Sequence, residues 1–151
     1  MVTYQREYLF DIIGEVEPLL REHYEELTLN KERIVLDPVW PEYALLEKMG
    51  RFVVFTARED GKLVGYNAFF TVKHIHYGAL NMAINDVLYL HKAHRRGLTG
   101  IRLLKFAEAQ LRDLIGGPLK VTYHIKFSLD WSAILHRMGY ADEEKVVGKL
   151  L

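Results

Sequence analysis

The densest chemistry in the sequence lies between Leu90 and Lys105, which reads Leu-His-Lys-Ala-His-Arg-Arg-Gly-Leu-Thr-Gly-Ile-Arg-Leu-Leu-Lys. It gathers Lys92, Arg95, Arg96, Arg102 and Lys105 and contains no carboxylate. An apolar run, Ala83 to Leu90, precedes it, and helical spacing follows. The first turn of a helix carries unpaired amide N–H groups and a partial positive charge, both of which favour a phosphate. Gly97 and Gly100 remove side-chain bulk where a ligand would approach the backbone. The pattern describes a pyrophosphate cradle; a basic loop ahead of an ordinary helix start fits the same residues. Neither Gly-x-x-x-x-Gly-Lys-Ser/Thr nor Gly-x-Gly-x-x-Gly occurs, which disfavours P-loop and dinucleotide sites.

Asp86 is a lone carboxylate inside an apolar strand, just upstream of this loop. It is the leading candidate for a general base, the alternative being a strand-end carboxylate bonded to a neighbouring amide. His124, on the polar face of an alternating run, is the second candidate, its alternative being simple exposure. His74 and His76 are spaced to point the same way on a strand, as a metal pair would. No acidic or cysteine ligand stands beside them, so a polar strand edge is expected and no metal site. Trp40, Tyr43, Phe69, Phe70, Tyr77 and Trp131 are expected mainly in the core, or shaping an acceptor pocket.

The elements that must position these groups follow from periodicity. Ile12, Val16, Leu19, Leu20 and His23 predict a helix over Asp11–Leu27. Pro41 suits a first helical residue, and Tyr43, Leu45, Leu46 and Met49 predict a short helix stopped by Gly50. Phe52–Ala57 and Leu63–Phe70 read as strands joined at Asp60-Gly61, a hairpin signal. Ala83–Leu90 reads as a third strand. Leu119, Val121, Tyr123, Ile125 and Phe127 alternate with Lys120, Thr122, His124 and Lys126, predicting another. Between them, Thr99–Leu114 reads as a helix ended by Gly116-Gly117-Pro118, making a crossover with parallel flanking strands. A short helix over Trp131–Met138 and a last strand over Lys145–Leu150 complete the prediction.

Composition narrows the function classes. The 151 residues suit one domain, read as spanning 1–151. There is no cysteine, which excludes disulfides, Cys-ligated metals and thiol nucleophiles. Acidic and basic residues number 20 each, so a general nucleic-acid coat is not expected. Residues 1–60 carry a net charge of −6 and the remainder +6, which locates polyanion-binding potential in the later part. No secretory signal and no apolar run of membrane-spanning length is seen, so a cytoplasmic address without membrane contact is expected.

Val87-Leu88-Tyr89-Leu90, then Arg95-Arg96-Gly97-Leu98-Thr99-Gly100, then Leu103-Leu104, resembles the GNAT superfamily of acyl-CoA-dependent N-acyltransferases, most nearly its compact phage-type members. Arg95 and Gly100 match the first and last positions of the motif Arg/Gln-x-x-Gly-x-Gly/Ala. Leu98 stands where its middle glycine is usual, with Gly97 displaced by one. Met138-Gly139-Tyr140 resembles the family's Leu-Gly-Phe after the final helix. The resemblance implies a mixed α/β (α+β) fold of roughly six to seven strands and about four helices, splayed between the fourth and fifth strands. It further implies pantetheine pairing near Tyr89 and Leu90, and pyrophosphate on the amides of Arg96, Gly97, Leu98, Thr99 and Gly100, with Arg95 and Arg96 beside the phosphates. Ser128 corresponds to the family's helix-start asparagine. Leu135 corresponds to its tyrosine that protonates the departing thiolate, for which Tyr123, Tyr140 and His136 are substitutes. The implied activity is transfer of an acetyl or short acyl group from acetyl-CoA to a primary amine of a small molecule or protein. Acyl-CoA and the amine are the expected partners, with no nucleic acid and a homodimer left open. A catalytically inactive CoA-binding sensor or interaction module on the same fold is the alternative.

Overall fold

The computed structural model describes all 151 residues. Five strands form one sheet in the order β1-β2-β3-β4-β5: β1 (Val2–Glu7), β2 (Phe52–Glu59), β3 (Lys62–Lys73), β4 (Asn81–Leu90) and β5 (Leu119–Thr122). Neighbours are antiparallel except β4 and β5, which run parallel. Helices α1 (Leu9–Leu27) and α2 (Trp40–Lys48) come before β2, α3 (Thr99–Ile115) links β4 to β5, and α4 (Ser132–Arg137) follows β5. The β2–β3 hairpin turns at Asp60 and Gly61, both with positive φ (50° and 84°), as a two-residue turn matched to strand twist requires. No helix is long and apolar enough to cross a membrane.

Each face of the sheet has its own core. Leu9, Ile12, Val16 and Leu19 form the buried stripe of α1 and pack on Phe52, Val54, Leu63, Tyr66, Ala68 and Tyr89. On the other face, Leu103, Ala107 and Leu111 of α3 pack on Val53, Phe55, Ala57, Val64, Phe69 and Ala83. Covered on both sides, β2 reads as a continuous apolar run instead of an alternating one.

The sheet has five strands, fewer than the six to seven expected. Three elements depart from the expectation. β1 was not anticipated, because Val2–Glu7 lies at the sheet edge with a mostly polar surface. The predicted Lys145–Leu150 strand does not form: these residues are exposed and make no backbone ladder, and Gly148 interrupts their apolar run. β5 stops at Thr122 although the alternation continues to Phe127, because its only partner, β4, turns away after Ile84.

Candidate active site

The last parallel pair is Ile84 with Thr122, yet β4 continues to Leu90. The predicted splay between the fourth and fifth strands is therefore present, and β4 has an unpaired edge over its second half. His91 N–H donates to the Val64 carbonyl at 2.8 Å, so alternation turns the main chain of Tyr89 towards β3 and that of Leu88 and Leu90 towards the opening.

The loop after β4 behaves as its composition suggests. Short 3₁₀ structure at Lys92–His94 leads to Gly97, whose φ of +93° suits glycine, and α3 starts at Thr99. The N–H groups from Arg96 through Ile101 find no acceptor in the protein; the first bond beyond them is Arg102 N–H to the Leu98 carbonyl at 2.9 Å. Arg96, Gly97 and Leu98 are exposed, and Gly100 lies against Leu90. No side chain of the protein accepts from these amides.

Arg95 is engaged elsewhere. Its guanidinium forms a two-pronged pair with Glu26 at 2.5 and 2.8 Å, and its Nε donates to the Leu90 carbonyl at 2.7 Å. It also lies 5.2 Å over the Tyr89 ring. Tyr89 donates to Glu22 at 2.9 Å, and burial, aided by that carboxylate, pushes its phenol up to about 12. His23 stacks on Tyr89, and burial holds it down at about 4, hence neutral. The end of α1 thus ties down the end of β4. Glu26 was not singled out from sequence: a pairing across 69 residues leaves no local spacing signal. An open groove of about 680 Å³ runs along this side of α1, walled by Glu17, Arg21, Glu22, Glu25, Glu26 and Lys92 with Gly14 and Pro18.

Asp86 occupies a β-bulge. Ala68 pairs with Val87 and Phe69 with Asn85, leaving Asp86 as the extra residue. Its carboxylate faces the α1–α2 side and accepts from the Tyr43 hydroxyl at 3.0 Å. Burial raises the Asp86 carboxyl above the ordinary carboxylate range, and the Tyr43 hydrogen bond offsets this only in part. A carboxylate with raised affinity for a proton, beside an opening, can act as a base. Tyr43 was expected as core or pocket wall; its hydrogen bond to Asp86 had no sequence signal.

The other predicted residues lie apart from this cluster. His124 is exposed beyond the end of β5, and Ser128 is exposed in the 3₁₀ turn Phe127–Leu129. Leu135 is buried on α4. His74 and His76 sit in the turn after β3, and no group of three or more His, Asp or Glu is arranged to hold a metal. On the α3 side of the bulge lie Asn67, Asn85 and Tyr123, joined by hydrogen bonds.

Comparison with known proteins agrees with this architecture. The model of the acetyltransferase (GNAT) family matches residues 15–140. An aminoglycoside acetyltransferase from an uncultured soil metagenomic sample superposes with a TM-score of 0.74 at 16% identity, covering 100% of this chain and 98% of that one. A ribosomal-protein-alanine N-acetyltransferase from Brucella melitensis biovar Abortus 2308 gives 0.68 at 20% identity, with 99% of each chain covered. A predicted acetyltransferase with acetyl-CoA from Clostridium acetobutylicum gives 0.69 at 13% identity, covering 99% of this chain and 96% of that one. A search of curated protein sequences returns no match. The splayed sheet, the helix opening with its free amides and the family match over most of the chain lead to one assignment: the chain belongs to the GNAT acetyltransferase family.

Proposed function

We propose that the protein transfers an acetyl or other short acyl group from acyl-CoA to a primary amine, by direct attack within a ternary complex. The observation that carries this reading is the uninterrupted run of acceptor-free amides from Arg96 through Ile101, beside the unpaired edge of β4. A pyrophosphate there would gain charge-assisted hydrogen bonds and a favourable helix end, with Arg96 and Lys92 adding charge. Arg95, paired with Glu26, would shape the loop and leave the phosphate contacts to its neighbours. Leu88 and the N–H of Leu90, whose carbonyl is taken by Arg95, would offer main-chain groups to pantetheine, as an added strand does.

Asp86 takes the base role in this reading. An amine enters mostly as ammonium, with an ordinary pKa near ~10.4 for a lysine-like group, and must lose a proton before attack. Asp86 accepts that proton, directly or through one water, while Tyr43 holds the carboxylate in place. The nitrogen attacks the thioester carbonyl, the C–S bond breaks, and amide and CoA thiol leave.

A non-catalytic acyl-CoA sensor is the second reading, favoured by the buried Leu135 where the family's tyrosine would stand. Two measurements decide. Acetyl-CoA at 100 times its Kd should add about 2.7 kcal/mol of stability and raise the melting temperature. Steady thiol release with an amine panel then supports the enzyme; binding without release supports the sensor, and no melting shift contradicts both.

A further inference from the structure

Asp86 is a half-buried carboxylate with no cation beside it. Its one hydrogen-bond partner in the protein is the Tyr43 hydroxyl at 3.0 Å, and no lysine, arginine or histidine pairs with it. A charge held in a sheet is costly unless an opposite charge meets it, so an ammonium fits the missing place. Asp86 lies two residues beyond the last β4–β5 pair, on the stretch of β4 whose edge is free. With the carboxylate turned to Tyr43, an amine reaches it from the α2 side.

The surface around that carboxylate is aromatic. Tyr43 lies nearly parallel to Phe70, with ring centroids 6.1 Å apart and planes 19° from each other. Trp40 tilts against Tyr43 at 6.0 Å, and buried Phe52 backs Tyr43 and Phe70 from 4.9 and 5.2 Å. Ile84 lies opposite Phe70 in the β3–β4 ladder and shares its face. Trp40, Tyr43, Phe70 and Ile84 are all partly exposed, and none is charged. The indole is carried on a well-defined helix start: Trp40 N–H donates to the Pro38 carbonyl at 2.9 Å, and Pro41 sets φ in the first turn of α2. The acidic groove along α1 is different in kind. Its Glu22 is engaged by Tyr89 and its Glu26 by Arg95, and Arg21 and Lys92 share its walls, so it carries its own counter-charges.

Resting on the acyltransferase reading above, we propose that the acceptor is a monoamine on a flat aromatic body, its ring against Trp40 and Tyr43 and its nitrogen at Asp86, with Trp40 a specificity-determining residue. The ring removes apolar surface from water against this wall, and the ring faces of the wall attract the entering ammonium. A polyamine would bring a second ammonium against the same wall with no second carboxylate to meet it, which weakens its binding. Transfer forms the N–C bond and breaks the C–S bond. Of the two protons that the ammonium loses, Asp86 takes one and passes it to solvent, and the other ends on the CoA thiol.

The experiment measures thiol release from acetyl-CoA with phenethylamine, propylamine and spermidine, in the unmodified protein and in Trp40→Leu. The kcat/KM for phenethylamine should exceed that for the other two amines by about tenfold or more, on the order expected for a ring removed from water. Trp40→Leu keeps apolar bulk and removes the flat face. It should lower kcat/KM for phenethylamine about fivefold to tenfold and leave propylamine within about twofold, a split that general loosening of the fold would not produce. If Trp40→Leu does not fold, Trp40→Phe keeps a smaller face and should lose about twofold to threefold with phenethylamine alone. A preference for spermidine or propylamine, or equal losses with phenethylamine and propylamine in the variant that folds, overturns the aromatic acceptor and leaves the acyltransferase reading standing. Acetyl-CoA binding with no thiol release to any amine overturns the acyltransferase reading itself, so the two failures are distinct.

Discussion

Asp86 is a carboxyl group drawn into a sheet, where burial stabilises the neutral form unless a partner compensates. Burial raises its pKa and Tyr43 compensates only in part, so Asp86 should lose its proton above the usual carboxylate range. A base must be deprotonated to work. Activity should therefore fall on acidification with an inflection above about 3.9, and this limb should vanish in Asp86→Asn. That variant should lose about a hundredfold or more in kcat while keeping its acetyl-CoA melting shift; undiminished transfer would reject the role. Tyr43→Phe removes the one hydrogen bond that favours the ionised form, so the acid inflection should move upward in a pH–rate profile. Asp86 itself was legible in the sequence, as the single charge in an apolar strand. Its bulge and its tyrosine were not, because each depends on register between segments far apart in the chain.

At the scale of elements, the site depends on how tightly β3 approaches β4. A Cβ on Gly65 would sit 2.7 Å from the Leu90 side chain and 2.9 Å from the Tyr89 carbonyl, the very end of β4 that borders the opening. Gly65→Ala should cost about 1–3 kcal/mol in denaturant unfolding and weaken acetyl-CoA binding together, since the strand end must shift. Elsewhere Arg58 joins β2 to β1 and to α1, pairing with Glu7 at 2.9 Å and Glu15 at 2.8 Å while its side chain is 12% exposed. Burial raises the Glu7 carboxyl, but Arg58 and Thr56 outweigh it, and both Glu7 and Glu15 are held below the ordinary range. Carboxyls with depressed pKa stabilise the fold above their unfolded values, and that contribution fades as pH falls through the folded ones. Arg58→Ala should thus lower stability by about 2–3 kcal/mol near neutrality and flatten the acid side of the stability–pH curve. Helices and central strands were legible because each carries a covered face or a capped end. β1 and the limit of β5 were not, because edge strands owe their existence to a neighbour and leave a weak pattern.

For the molecule as a whole, the sheet is held between two separate cores, and the opening lies where the ladder on the β5 side ends. Leu103 is fully buried in the core beneath α3, the helix whose first-turn amides have no acceptor in the protein. The family resemblance was legible in Arg95, Gly97 and Gly100, and the splay it implied is present; the engagement of Arg95 by Glu26 was hidden by their separation in sequence. In the proposed function the free amides opening α3 receive the diphosphate of acyl-CoA. Backbone amide NMR resonances followed during addition of acetyl-CoA test it most directly. The largest changes are expected from Arg96 through Ile101, with Leu88 and Leu90 next; saturable changes centred elsewhere, with these amides unmoved, would contradict diphosphate binding at the α3 opening.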